Sequence, residues 1–255
     1  MRVVVCRLDS PSFIVRAPSV QIGPGEASTP PVFSLLWLRM PHFAHVIFDL
    51  DGTVVDTQAD LAAATNYMLA TLGLPTLPLV RVRGYIGHGV RALVRSALGP
   101  ANAHLVDRGC ELFMAYYQRH LLDASRVYPG IARLLAAAHA RGLVLSLLTN
   151  KPEALSRAIL AGLGLTPFFV AVVGGDTLAT KKPDPGGIFY LQGLTGITLA
   201  QTLVVGDSSI DIDTGYAAGV ATCGVGWGYG AQSFASSSPL FVVDTPEQLY
   251  DLLCR

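Results

Sequence analysis

Short apolar runs alternate with helical patterns along most of the chain. The runs are continuously apolar, which is typical of strands covered on both faces, and six are present, at 45–48, 143–148, 168–173, 202–205, 221–225 and 240–243. Helical patterns that end at or near a glycine separate several of them, at 131–140, 152–161 and 209–218. This alternation predicts an α/β fold with a doubly wound, Rossmann-like parallel sheet.

Residues 57–127 interrupt the alternation. Apolar residues there recur at helical spacing in three stretches, which begin near Leu61, Val90 and Leu105, and no convincing strand falls between them. We therefore expect an all-helical cap over 57–127, inserted after the first strand of a core formed by residues 41–56 and 128–255. Seven arginines against four carboxylates give this insert a net charge of +3, whereas the rest of the core is acidic.

The first forty residues differ from the rest of the chain. Prolines and glycines crowd residues 18–31, and the apolar stretch 32–38 is too short to span a membrane. Charged residues interrupt the earlier apolar run, so no signal-peptide core forms. We expect residues 1–40 to be a disordered or non-native extension, with Met40 as the candidate start; a docking tail is the alternative.

Composition narrows the class of protein. The 255 residues are 51% hydrophobic and 14% charged, which is too apolar for a disordered chain. Eighteen basic and eighteen acidic residues argue against a general electrostatic attraction to nucleic acid or an anionic membrane. The four cysteines form no CxxC pair, as is usual for a reduced cytoplasmic protein. We expect a cytoplasmic monomer or homodimer.

Candidate chemistry is concentrated where the predicted strands end. Because the carboxyl ends of parallel strands share one edge of a sheet, these polar residues should meet there. They are Asp49 and Asp51 after the first strand, Thr149, Asn150 and Lys151 after 143–148, Lys181 and Lys182 after 168–173, and Asp207 and Asp211 after 202–205. The chain has fifteen arginines but only three lysines, and all three lie at these ends, which favours a role for a compact ammonium group.

The order of these motifs resembles the haloacid dehalogenase superfamily. The sequences that carry the resemblance are DLDGT at 49–53, Thr149, Lys182-Pro183 and GDSSID at 206–211, with the helical insert similar to a cap domain of the first type. The segments LLTNKP, VVGGD, KKPDP and GYIGHG resemble bacterial phosphoglycolate phosphatases more closely. The resemblance implies a Mg²⁺-dependent phosphatase that acts on a small phosphate monoester, with 2-phosphoglycolate as the first candidate.

The resemblance also implies roles for the matching residues. Asp49 would be the nucleophile that forms an aspartyl-phosphate, and Asp51 would protonate the leaving alcohol and then activate water. Lys182 would bridge the nucleophile and the phosphate. Thr149 would bind a phosphate oxygen, with Asn150 nearby.

A magnesium site completes the set that the resemblance implies. Asp49, Asp207 and the backbone carbonyl of Asp51 would hold the ion, and Asp211 would support it through water or Lys182. Such a site is needed because a carboxylate that attacks a phosphate dianion is repelled. At ~4 Å and an effective dielectric constant of about 20, each pair of unit charges costs roughly 4 kcal/mol. Backbone N–H groups after Asp49, with Gly52 allowing a tight curl, would hold the transferred oxygens.

Three features carry weaker signals. His88, between two glycines of the cap, would contact substrate or close the lid, or would be a solvated loop residue. The alternating glycines of GVGWGYG at 224–230 open no helical pattern, so we expect a flexible loop near the site rather than a dinucleotide fingerprint. Tyr116 and Tyr117 are expected in the core and rim of the cap rather than in contact with a ligand.

Other activities remain open. A nucleotide or pyrophosphate phosphatase and a sugar-phosphate mutase use the same motifs, and the residues that separate them lie in the cap. A haloacid dehalogenase has no need of Asp51 or a metal. A non-catalytic phosphate-binding scaffold is the remote alternative.

Overall fold

A parallel sheet forms the centre of the molecule. The computed structural model describes residues 4–5, 14–15, 42–235 and 237–254. The strands of the central sheet are β3 His45–Phe48, β6 Val144–Leu148, β7 Ala171–Val173, β8 Thr202–Gly206, β9 Ala221–Val225 and β10 Phe241–Val243. They are parallel and lie in the order β10-β9-β8-β3-β6-β7. The predicted fold class is confirmed.

Strand β7 is shorter than the sequence pattern suggests. The apolar run begins at residue 168, but Thr166–Phe168 form a turn of 3-10 helix and the strand starts only at Ala171. The N–H groups of Phe168 and Phe169 are used within this turn, on the carbonyls of Leu165 and Thr166, so they do not pair with a neighbouring strand.

Two short antiparallel strands extend the sheet beyond β10. They are β1 Val4–Val5 and β2 Ile14–Val15, and β2 pairs directly with β10. These four residues belong to the sheet. The rest of the expected extension over residues 1–40 lies outside the described residues.

Helices cover both faces of the sheet. Their bounds are α5 Ile131–Ala140, α6 Glu153–Gly162, α7 Gly186–Thr195, α8 Ser209–Ala218 and α9 Pro246–Cys254. One face buries Phe48 and Val205 with Leu135, and the other buries Ile47 and Val204 with partners that include Ile188. Alternate strand residues therefore enter two separate cores, which is why the strands read as continuously apolar.

The insert is helical and has its own core. It consists of α1 Gln58–Thr71, α2 Leu79–Arg83, α3 Val90–Leu98 and α4 Val106–Tyr117. Met68, Val94, Phe113 and Tyr117 are fully buried among these helices. None of the helices within the described part of the chain combines the length and apolar character needed to cross a bilayer.

A two-stranded ribbon joins the core to the cap. Strand β4, Val55–Asp56, pairs antiparallel with β5, Arg126–Val127. Strand β5 lies within 57–127, where no strand is predicted from the sequence. Two residues are too few to produce a period-two pattern that the sequence could show. Beside the ribbon, the buried Asp60 carboxylate accepts hydrogen bonds from the N–H groups of Ala124 and Ser125, which fixes the second connection against α1.

Candidate active site

The ends of the central strands bring the predicted carboxylates together. Strand β3 lies between β6 and β8, so Asp49 at its end has Thr149 on one side and Asp207 on the other. All three side chains are buried or nearly so. The convergence follows from the parallel register, which aligns Phe48 with Leu147 and Val205.

Lys182 bridges two of the carboxylates. Its Nζ lies 2.7 Å from Oδ1 of Asp49 and 2.6 Å from Oδ1 of Asp211. Burial alone would lower the pKa of this lysine, but the charges of Asp211 and Asp49 more than offset that effect and raise it. Lys182 is therefore a fixed ammonium group beside the Asp49 carboxylate.

The acidic cluster has more negative charge than Lys182 neutralises. Carboxylate oxygens of Asp49, Asp207 and Asp211 lie within 4.8 Å of one another. Burial, reinforced by Asp211 and Asp49, raises the pKa of Asp207 to about 8. Burial likewise raises the pKa of Asp49 to about 6, although Lys182 opposes the shift.

Two oxygens of this cluster remain free to bind a cation. Oδ2 of Asp207 accepts the backbone N–H groups of Tyr229 and Gly230, and Oδ2 of Asp211 accepts hydrogen bonds from Ser208. Among the described residues, Oδ2 of Asp49 and Oδ1 of Asp207 have no hydrogen-bond partner. Two free carboxylate oxygens in a buried, negatively charged site suit a hard divalent cation.

Two glycines allow this close packing. Gly52 has φ of 93°, and a Cβ added there would lie 2.4 Å from Oδ2 of Asp207. A Cβ at Gly206 would lie 2.2 Å from Cγ of Asp211. The curl after Asp49 and the end of β8 therefore both require glycine.

A second lysine holds Asp51. Nζ of Lys151 lies 2.9 and 3.0 Å from the two oxygens of Asp51, and the Thr57 hydroxyl donates to Oδ1 at 2.6 Å. Burial would lower the pKa of Lys151, but Asp51 and then Tyr117 raise it overall. Asp51 thus lies beside its own ammonium group, apart from the one at Lys182.

The cap contacts the core through the loop at 84–89. Nδ2 of Asn150 donates to the carbonyls of Gly87 and Lys182 at 2.9 and 3.0 Å. Nζ of Lys181 donates to the carbonyl of His88 at 3.0 Å. The backbone of this loop therefore lies directly on the core residues that follow two of the strands.

Two cavities meet at Asp49 and Asp51. The inner one lies between core and cap, has a volume of about 30 Å³ and is lined partly by Thr149 and Lys151. The outer one measures about 240 Å³ and is lined by residues that include Lys182, Asp207, Asp211 and His88. Asp49 and Asp51 therefore line both the small inner cavity and the larger outer cavity.

Gly224 and Val225 of the glycine-rich segment belong to β9, and the loop that follows them is hydrogen-bonded to the site. The hydroxyl of Tyr229 accepts the backbone N–H groups of Thr57 and Gln58 at 2.7 and 3.1 Å and lies 2.8 Å from Oδ1 of Asp56. Nε1 of Trp227 donates to the carbonyl of Thr53. Because the backbone N–H of Tyr229 also donates to Asp207, the loop links that carboxylate to the start of cap helix α1.

Sequence reasoning missed several contacts at this site. In the sequence, Lys151 stands out only as a lysine at a strand end, and no motif gives a role to Thr57 or Tyr229. Tyr117, expected in the core or rim, is fully buried and also lines the inner cavity. The placement of all three lysines at strand ends is the one signal that the sequence offers for Lys151. The contacts of Thr57 and Tyr229 depend on how distant loops fold back onto the site.

Comparisons with known proteins agree with this architecture. The family model of haloacid dehalogenase-like hydrolases matches residues 46–225. A phosphoglycolate phosphatase from Pseudomonas syringae pv. tomato is 40% identical over 212 residues, covering 80% of this chain and 77% of that protein. One from Chromobacterium violaceum is 38% identical and covers 85% of this chain and 99% of its own length.

A solved structure shares the fold over most of the chain. The crystal structure of a predicted phosphoglycolate phosphatase from Haemophilus somnus superposes with a TM-score of 0.79 at 32% identity. The match covers 84% of this chain and 99% of the other. The chain belongs to the haloacid dehalogenase-like hydrolase family.

Proposed function

We propose that this protein is a Mg²⁺-dependent phosphatase that hydrolyses 2-phosphoglycolate to glycolate and phosphate. The observation that carries the proposal is the cluster of Asp49, Asp207 and Asp211 around Lys182, with free oxygens on Asp49 and Asp207. It combines a buried carboxylate nucleophile, an ammonium group and a cation site at one strand edge.

The first step uses Asp49 as the nucleophile. One of its oxygens attacks phosphorus, the bond from phosphorus to the alcohol oxygen breaks, and an aspartyl-phosphate forms. Lys182, 2.7 Å from Asp49, offsets part of the repulsion between carboxylate and phosphate. Thr149 is assigned to a phosphate oxygen through its hydroxyl, because it follows β6 and lines the inner cavity beside Asp49. Asn150 lies next to it, but both N–H groups of its side chain already donate to the carbonyls of Gly87 and Lys182.

The backbone after Asp49 supplies further donors. Gly52 N–H is already bonded to Val55, but the N–H groups of Leu50 and Asp51 have no backbone acceptor among the described residues. Both lie within the curl that Gly52 permits. Two such amides suit the developing charge on the transferred phosphoryl oxygens.

Asp51 moves the proton in both steps. In the first step it donates a proton to the leaving alcohol, and in the second it takes one from the water that attacks the aspartyl-phosphate. It lines both cavities, so it lies between the leaving-group side and the metal side. The second step returns Asp49 to its starting state and releases inorganic phosphate.

Magnesium is assigned to Asp49, Asp207 and the backbone carbonyl of Asp51. Burial, reinforced by the charges of Asp211 and Asp49, raises the pKa of Asp207; when bound, the ion would offset that negative charge and polarise the phosphate. Asp211 supports the site indirectly, because its oxygens bind Lys182 and Ser208. His88 lines the outer cavity through the cap loop and is assigned to substrate contact or closure.

The choice of substrate rests on two observations. The relatives from Pseudomonas syringae and Chromobacterium violaceum carry the name phosphoglycolate phosphatase. The inner cavity of about 30 Å³ is far smaller than the pockets of ≈300 Å³ or more that drug-sized ligands occupy, which favours a small leaving group. A nucleoside would not fit there with the cap in this position.

A panel of phosphate esters tests the proposal. We expect phosphate release from 2-phosphoglycolate with Mg²⁺ and none with EDTA, and much slower release from a nucleoside monophosphate, pyrophosphate or a sugar phosphate. Preference for a nucleotide would overturn the substrate assignment but leave the chemistry standing. Isomerisation of the sugar phosphate without phosphate release would favour a mutase, and activity in none of the assays would favour a scaffold.

A further inference from the structure

The inner cavity has a mainly apolar lining. It lies between α1, α3 and α4 of the cap and the residues that follow β3 and β6 of the core, where the carboxylates of Asp49 and Asp51 also line it. The apolar residues of its lining come from the cap and are Leu61, Ile86, Val90, Leu93 and Phe113. Any charged part of a substrate that enters this space therefore needs a specific partner in the wall.

Lys151 is the one cation among the described residues of that wall. Lys182, the other buried lysine, lines the outer cavity instead. The ammonium of Lys151 makes two contacts to the oxygens of Asp51 and lies 4.8 Å from the centre of the Tyr117 ring. An ammonium group has three N–H donors, so these two contacts leave one for the neighbouring Tyr117 or for a ligand.

Tyr117 places a hydroxyl in the same wall. The residue is fully buried, and its OH makes no hydrogen bond of normal geometry among the described residues, although Lys151 is close enough to affect its pKa. A buried hydroxyl without a partner is destabilising unless a ligand or water completes it. Burial also raises the pKa of Tyr117 to about 12, so the group remains an O–H donor at neutral pH.

We propose that Lys151 and Tyr117 bind the carboxylate of the leaving group and so select phosphate esters of short hydroxy acids. The inference rests on the proposed function, because it assumes that the alcohol part of the ester occupies the inner cavity. The ammonium and the hydroxyl approach that space from opposite domains, Lys151 from the core and Tyr117 from α4 of the cap. Recognition of the acid would therefore also favour the closed position of the cap.

Two esters of similar size separate recognition from chemistry. 2-Phosphoglycolate and ethyl phosphate have two-carbon leaving groups, but only the first has a carboxylate. The measurement is the ratio of kcat/KM for 2-phosphoglycolate to kcat/KM for ethyl phosphate, with saturating Mg²⁺. We expect Lys151→Met to lower this ratio by about tenfold or more, and Tyr117→Phe to lower it by about fivefold.

Matched variants control for nonspecific effects. Tyr116→Phe alters the neighbouring residue of α4, which stacks on Tyr67 and His120 and does not line the cavity. Arg133→Met alters an exposed cation on α5 that lines neither the inner nor the outer cavity. Both should leave the ratio unchanged. Should Lys151→Met fail to fold, the conservative Tyr117→Phe decides the question.

The outcomes distinguish this inference from the function beneath it. An equal fall in kcat/KM for both esters would show that Lys151 only positions Asp51, and would overturn the recognition proposal alone. An unchanged ratio in Tyr117→Phe would remove that residue from it. A wild-type protein that hydrolyses neither ester with Mg²⁺ would overturn the proposed function and this inference together.

Discussion

Two buried lysines divide the carboxylates of the site between them. Lys182 binds Asp49 and Asp211, whereas Lys151 binds Asp51. Removal of either lysine would leave a buried carboxylate without its partner, which costs more than the pair contributes in isolation. The separation gives the proposed nucleophile and the proposed acid–base group different ammonium groups, so each carboxylate has its own electrostatic surroundings.

Tyr229 offers a test of how the loop at 226–230 supports the site. Its hydroxyl is the shared partner of two N–H groups at the start of α1 and of Asp56. Tyr229→Phe should lower the free energy of unfolding by about 1–3 kcal/mol, because those buried groups lose their partner. Urea unfolding measures this change. Tyr190→Phe, which alters an exposed ring on α7, is the control and should have no effect.

His45 predicts how stability depends on pH. This fully buried residue, hydrogen-bonded to Ser146, has a pKa lowered from 6.5 to about 4 by burial. The unfolded chain therefore takes up a proton near pH 6.5 while the folded chain does not, and stability falls as the pH drops from about 6.5 to 4. His45→Gln should reduce this loss by roughly 3 kcal/mol in unfolding titrations. The same loss in His45→Gln as in wild type would contradict the assignment, and exposed His104→Gln is the control.

At the scale of elements, the loop at 84–89 is where cap and core meet. Its carbonyls at Gly87 and His88 accept hydrogen bonds from Asn150 and Lys181. These contacts use backbone atoms of the cap, so they depend on the path of the loop rather than on its side chains. Any substitution that lifts the loop should weaken closure.

Gly89→Ala tests this dependence. Gly89 has φ of 86°, and a Cβ there would lie 2.9 Å from the carbonyl oxygen of Asn150. We expect kcat/KM to fall about tenfold, because the closed position becomes strained. Gly73→Ala has a similar φ of 71° but meets nothing within 4 Å, so it isolates backbone strain from the clash. Equal effects of the two variants would show that closeness to Asn150 is unimportant.

The sequence located the strand ends but not the contacts between loops. Asp49, Thr149 and Asp207 could be placed together because apolar runs identify parallel strands, whose carboxyl ends share an edge. The hydrogen bond from Thr57 N–H to the Tyr229 hydroxyl joins residues that are 172 positions apart, and Tyr229 lies in an irregular loop. No periodic pattern encodes such a path, so it could not be inferred from the sequence. The two-residue ribbon of β4 and β5 escaped detection for the related reason that it is too short to show a period.

At the scale of the whole molecule, the cap has a hydrophobic cluster of its own around Met68 and Phe113, which Leu155 of the core helix α6 also joins. The two faces of the sheet bury other clusters. The prediction of a cap over 57–127 came from helical spacing, which replaces continuous apolar runs there. The sequence could not predict the volume left between cap and core, which depends on side-chain packing across their interface.

Cation binding should stabilise the whole fold. A cation that binds only the folded acidic cluster raises the free energy of unfolding by ≈2.7 kcal/mol at a hundred times its Kd. We expect Mg²⁺ to raise the melting temperature relative to EDTA, and Asp207→Asn to remove most of that rise. Asp213→Asn, an exposed carboxylate on the same helix as Asp211, should respond to Mg²⁺ like wild type. An undiminished response in Asp207→Asn would place the cation elsewhere.

The most direct test of the account is to identify the phosphorylated residue. Wild-type protein quenched with acid during turnover of 2-phosphoglycolate with Mg²⁺ should contain a peptide that is heavier by one HPO₃ group, with the modification on Asp49. The modified peptide should be missing with EDTA and in Asp49→Asn. Phosphate attached to another residue, or retained turnover in Asp49→Asn, would contradict the claim that Asp49 is the nucleophile.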